Sequence, residues 1–234
     1  MERDPDRDLE REAWPATLPA VRQLLDDGLE LPPGVTFLVG ENGSGKSTLV
    51  EAVAAAYGLN PEGGSRGARH STRATESPLA DALRLVRSPG RLVSSYFLRA
   101  ETMHGLYTYL EANPAPDVRR EPRFHEMSHG ESFLEVLRTR FAGYGFFVLD
   151  EPESALSFRS CLALVALLDD LRTEGAQVLC ATHSPLLASL PGATLLELGD
   201  HGIRQTTYED LDLVRDWRAF LTEPDRYLRH LLGP

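Results

Sequence analysis

The chain has 234 residues, 42% of them hydrophobic and 25% charged, with a formal net charge of −11. That length suits one large domain, or a domain with a lobe, and allows a substantial buried core. An acidic chain repels phosphate backbones at long range, which argues against broad nucleic-acid binding.

Met1 to Glu12 is dense in Asp, Glu and Arg and lacks an apolar stretch, so it reads as a frayed charged tail rather than a signal peptide. Val35 to Val39, bounded by Pro32-Pro33-Gly34 and Gly40, predicts a buried strand. Residues 46–57 predict a helix ended by Gly58. Residues 60–78 are rich in Gly, Ser, Pro and Arg and predict a loop. Helical or mixed stretches are expected at 79–87 and 101–111, with a strand at 92–98 between them. Three prolines make Asn113 to Pro122 a connection.

Residues 129–141 predict an amphipathic helix with Phe133, Leu134, Leu137 and Phe141 on one face. Phe146 to Leu149 predicts a strand, and 157–173 a helix with Phe158, Cys161, Leu162, Val165 and Leu168 inward. Strands at 177–181, 194–198 and 203–207 and two closing helical segments complete the pattern. Such alternation predicts an α/β fold with helices on both faces of a sheet. The longest apolar run, Cys161 to Leu168, is too short to span a bilayer. Cys161 and Cys180 lie within apolar runs and read as small core residues, consistent with a reducing, cytoplasmic location. The basic clusters at Arg66, Arg69, His70 and Arg73, and at Arg119, Arg120 and Arg123, read as solvated loops.

Three segments carry chemistry. Gly40-Glu-Asn42-Gly43-Ser44-Gly45-Lys46-Ser47 matches G-x-x-x-x-G-K-[ST] between a predicted strand and a predicted helix. Its glycines let backbone amides face phosphate oxygens, Lys46 reaches the β and γ phosphates, and Ser47 offers a hydroxyl to Mg²⁺. Thr48 follows within the phosphate-binding turn. The strand ending in Asp150 delivers a carboxylate to the metal, and Glu151 is placed to orient or deprotonate water. His125-Glu126-Met-Ser128-His129 also matches the zinc-peptidase pattern H-E-x-x-H. That chemistry needs a continuous helix, whereas Ser128-x-x-Glu131 reads as a capping box that starts one between the two histidines. Trp14, upstream of the phosphate loop, would either stack on a base or pack the N-terminal segment.

Glu41 to Thr48, Leu149 to Ser154 and Ala181-Thr-His-Ser-Pro185, in that order, resemble the Walker A, Walker B/D-loop and switch-histidine segments of ABC-type ATPases. More closely, Phe97-Leu-Arg-Ala-Glu101 and Met127 to Phe133 resemble segments of the small stand-alone "predicted ATPase" group of that class, which lacks a membrane domain. The resemblance implies a mostly parallel sheet with a core at about 13–68 and 143–234 and a signature lobe at about 69–142. It implies ATP and Mg²⁺ as ligands, with His183 as γ-phosphate sensor beside Glu151 and Lys46. Ser47, Asp150 and Glu101, the last at the Q-loop position, would serve the metal. Ser128 and Gly130 would complete the site of a second subunit in a head-to-tail homodimer closed on ATP. The signature departs from the usual pattern, with His129-Gly130-Glu131 after the serine, and the Q-loop position holds a carboxylate. Two other roles stay open: a nucleotide-gated switch that recruits a protein partner with little turnover, or the ATPase subunit of a transporter.

Overall fold

The computed structural model describes residues 1–7, 9–61, 63–65, 78–87, 94–103, 106, 108 and 129–232. Its first half comprises β1 (Glu2–Arg3), α1 (Pro19–Asp27), β2 (Gly34–Gly40), α2 (Lys46–Tyr57), β3 (Leu83–Arg84) and β4 (Ser94–Arg99). Its second half comprises α3 (His129–Arg140), β5 (Gly145–Asp150), α4 (Phe158–Thr173), β6 (Gln177–Thr182) and α5 (Pro185–Ala188), then β7 (Thr194–Gly199), β8 (Gly202–Thr206), α6 (Asp212–Thr222) and α7 (Pro224–Leu232). Short 3₁₀ turns follow β4 at Ala100–Thr102 and β5 at Pro152–Ala155.

Six strands form one sheet in the order β4-β5-β6-β2-β7-β8. All neighbours are parallel except β7 and β8, which form a hairpin. Inner parallel strands covered on both faces need continuous apolar runs, and every residue of β5 is buried. Successive side chains alternate between faces. Phe37, Phe147, Leu149, Val178 and Cys180 enter a core closed by α3, α4 and α5. Leu38, Phe146, Val148, Leu179 and Ala181 enter the opposite core, under α1 and α2. Helix α2 buries Leu49, Val50, Ala52, Val53 and Ala54, and its alanines let it sit close to the strands.

Several expectations are corrected. The segment expected as a frayed tail is anchored: β1 pairs with β3, and the N-terminal ammonium donates to Leu29 O at 2.7 Å. A two-residue strand carries no readable periodicity, so composition alone misled. Residues 78–82 are turns leading into β3, not a helix; pairing with the N-terminus outweighs the helical propensity of this stretch. β4 falls in the segment assigned to the lobe, yet it forms an edge of the central sheet. Phe158 and Leu162 are exposed, whereas α4 buries Cys161, Leu164, Leu168 and Leu171. Helix α1 was not anticipated, although Pro19 at its first turn, Ala20, Val21, Leu24 and Leu25 on one stripe and Gly28 after its end are helix signals. Among the described residues, no helix is long and apolar enough to cross a membrane.

The two phenylalanines make opposite predictions. Phe147 is fully buried and stacks on Phe141 with centroids 4.7 Å apart. Phe147→Ala should cost about 3–5 kcal/mol in urea denaturation, and Phe158→Ala no more than about 0.5 kcal/mol.

Candidate functional site

Parallel pairing brings the carboxyl ends of β4, β5, β6 and β2 to one edge of the sheet, where open α/β sheets place their ligands. Val39 lies beside Thr182, Asp150 beside Ala181, and Arg99 beside Asp150.

At the end of β2 the chain turns tightly into α2. Gly40 has φ +156°, and a Cβ there would stand 2.3 Å from the Leu198 carbonyl oxygen, so only glycine fits. Gly45, at φ 97°, sets the left-handed entry to α2. The free amides of that first turn make an anion site. Asn42, Gly43, Gly45, Lys46, Ser47 and Thr48 line one open cleft, completed by Trp14, Leu18 and Glu151. Trp14 is exposed there. The Ser44 hydroxyl is buried without a hydrogen-bond partner among the described residues.

Lys46 is buried, and its ammonium donates to Gly40 O and Glu41 O at 2.9 Å each. Burial lowers its pKa, and Glu151, Asp150, Glu153 and Glu41 oppose that shift. Asp150, the last residue of β5, is 4% exposed. Desolvation raises its pKa to about 6, against the pull of Arg99 and a hydrogen bond from Ser47. Its Oδ1 is buried with no hydrogen-bond partner among the described residues. A buried, unmatched carboxylate oxygen beside a hydroxyl is a hard-oxygen donor pair that fits Mg²⁺.

Glu151 has φ 48° and ψ 50°, the left-handed region for a non-glycine residue. The backbone amide and hydroxyl of Ser154 both donate to its carbonyl, at 3.1 and 2.9 Å. The Glu151 carboxylate reaches the His183 ring, with Oε1 3.2 Å from Nε2. The proposed water-activating and sensor residues therefore meet, although 32 residues separate them in sequence.

Glu101 lies in the turn after β4 with its side chain 80% exposed. It is 3.4 Å from the guanidinium of Arg99, a residue with no role predicted from the sequence. Arg99 also lies 3.4 Å from Asp150 Oδ2 and donates to Glu51 at 3.0 Å, so three carboxylates from three elements share one guanidinium. Only strand register places Arg99 beside Asp150, and local sequence carries no signal of it. Gly130 sits at the start of α3, where a Cβ would meet Ala155 O at 3.5 Å, an ordinary contact against the turn after β5. Ser128, His125 and Glu126 lie outside the described residues, as do the two basic clusters.

Two family models match. Residues 18–84 match "AAA domain". Residues 105–189 match "AAA domain, putative AbiEii toxin, Type IV TA system". Among curated proteins, the ribose import ATP-binding protein RbsA 2 of Burkholderia pseudomallei is 32% identical over 208 residues, 77% of this chain and 40% of that protein. The arabinose import ATP-binding protein AraG of Pseudomonas syringae pv. tomato is 28% identical over 193 residues, 70% of this chain and 36% of that protein. The cytochrome c biogenesis ATP-binding export protein CcmA of Maricaulis maris is 28% identical over 185 residues, 75% of this chain and 85% of that protein. The chain thus spans well under half the length of the two sugar-import relatives.

The raised pKa of Asp150 predicts a pH dependence. Between about pH 4 and 6, metal-free folded protein keeps a proton that the unfolded chain has released, so stability falls as pH rises through this window. The shift, from 3.8 to about 6, corresponds to roughly 3 kcal/mol at about 1.4 kcal/mol per unit. Urea denaturation at pH 4.5 and 7 without metal should show about 2 kcal/mol of this loss for the parent protein, the part that lies above pH 4.5, and Asp150→Asn should flatten it.

Proposed function

We propose that this chain, a homologue of ABC ATP-binding proteins with AAA-type domain segments, is a Mg²⁺-dependent ATPase that closes on ATP as a head-to-tail homodimer. The observation that carries the reading is the meeting of phosphate loop, Asp150 and the Glu151–His183 pair at one sheet edge. The amides of residues 43–48 bind the phosphates. The Lys46 ammonium leaves the Gly40 and Glu41 carbonyls for the β and γ phosphates. Ser47 and Asp150 would hold Mg²⁺, with Glu101 near enough to Arg99 to share their charge network. Held there, Mg²⁺ would supply positive charge that offsets the charge developing on the phosphate oxygens.

Glu151 aligns the attacking water and takes its proton, and His183 holds the γ-phosphate side. Ser128 and Gly130 of the second subunit complete the site, with α3 presenting its N-terminal amides. Two buried free thiols, Cys161 and Cys180, suit a cytoplasmic setting. The names of the relatives support a second reading, the ATP-binding subunit of a transporter; binding to isolated membranes carrying a partner subunit would separate it from the stand-alone enzyme.

Lys46→Ala should weaken ATP binding roughly tenfold or more in calorimetric titration, because a hydrogen bond to a charged group contributes about 1.5–3 kcal/mol. Unchanged affinity would remove the phosphate-loop assignment. Glu151→Gln should accumulate an ATP-bound dimer, seen by light scattering on a sizing column as a doubling of mass with ATP and Mg²⁺. A mass that stays monomeric while ATP binds would remove the homodimer.

A further inference from the structure

We propose that Glu153 is a positioning residue that sets the place of His183 through the backbone, a proposal that rests on the ATPase reading above. The left-handed turn at Glu151 reverses the chain after β5 and brings Glu153 back to the end of β6. There one carboxylate oxygen, Oε1, accepts from the Thr182 hydroxyl at 2.7 Å and from the His183 backbone amide. Thr182 Oγ1 in turn accepts from Ser184 N at 3.0 Å. Its single proton is therefore committed to Glu153, and the hydroxyl has one orientation. The Ser184 hydroxyl caps α5 by accepting from Leu187 N at 3.4 Å. One acceptor thus holds Thr182 and His183 directly, and Ser184 through Thr182, at the site edge.

His183 is held at two points by residues two apart. Glu151 meets its ring, and Glu153 holds its backbone. The two carboxylates have separate tasks: the first lines the cleft, and the second holds the backbone at the end of β6. The second oxygen of Glu153, Oε2, is buried without a hydrogen-bond partner among the described residues. Such an arrangement costs solvation, and the convergence of two donors on Oε1 offsets it. A movement of the Pro152–Ala155 turn would carry Glu153 with it and shift the ring of His183. Gly130 packs against that same turn, so the start of α3 and the histidine are mechanically linked through Glu153.

Two conservative variants test this. Glu153→Asp keeps the charge but withdraws the acceptor by about one methylene length, and a misplacement near 1 Å costs on the order of 10²-fold in rate. Its kcat should fall by about that factor while the Kd for ATP stays within about threefold. Glu153→Gln keeps an oxygen acceptor in place and should retain most of the rate. The ¹H–¹⁵N signals of the His183 imidazole, assigned with His183→Ala and recorded without nucleotide, should move in Glu153→Asp and stay near the parent in Glu153→Gln. Parent-like turnover or unmoved His183 signals in the Asp variant overturn the proposal, as does a Gln variant as slow as the Asp variant. If the parent protein itself does not hydrolyse ATP, the ATPase reading fails, and the imidazole signals alone decide whether Glu153 positions His183.

Discussion

Parallel pairing of β2, β5 and β6 in one register is the constraint on which the site rests. Side-chain direction alternates along a strand, so a slip of one residue would turn Asp150 away from the phosphate loop. Polarity alone does not prevent that slip, because both faces of β5 are apolar. Shape does. A Cβ at Gly145 would stand 2.5 Å from Ser94 O and 2.9 Å from the Phe147 ring, so the position admits no larger residue. A slip would drive Phe146 or Tyr144 into that space. Close packing far from the chemistry thus sets the geometry at the strand ends.

The same edge concentrates negative charge. Glu51, Asp150, Glu151 and Glu153 are all at least partly buried, and Glu101 adds a fifth carboxylate. Against them stand Arg99, shared among three carboxylates, and Lys46, whose ammonium is bound to two carbonyls. Coulomb repulsion among such groups strengthens as the local dielectric falls. Burial is the main cause of the raised pKa of Asp150, and repulsion from Glu151 and Glu51 adds to it. An edge built this way favours an incoming cation together with the anion that carries it.

How much of this was legible in the sequence depended on range. The turn from Gly40 to Ser47 is contiguous and bounded by strong strand and helix signals, and it sits where the pattern put it. The runs at 146–149 and 177–181 were equally plain, since fully buried strands leave unbroken apolar stretches. Glu151 and His183 could be named, but their 3.2 Å contact depends on pairing between β5 and β6. Arg99 had no local signal at all, because its partners come from α2, β5 and the turn after β4. Periodicity also failed at Phe158 and Leu162, where helix phase put apolar residues on the exposed side of α4. The pairing of β1 with β3 joins residues 80 and 82 positions apart, beyond any window that reads propensity.

The left-handed backbone at Glu151 has an evolutionary consequence. A side chain in that region costs about 1–2 kcal/mol relative to the right-handed helix. Glycine would relieve the strain, but stabilising changes at a strained active site recurrently cost function. The carboxylate that meets His183 would then be lost. Any lineage in which position 151 turned to glycine would inherit a sturdier fold and an idle site, and such chains would serve as natural experiments in how far this protein is kept for its chemistry rather than for its shape.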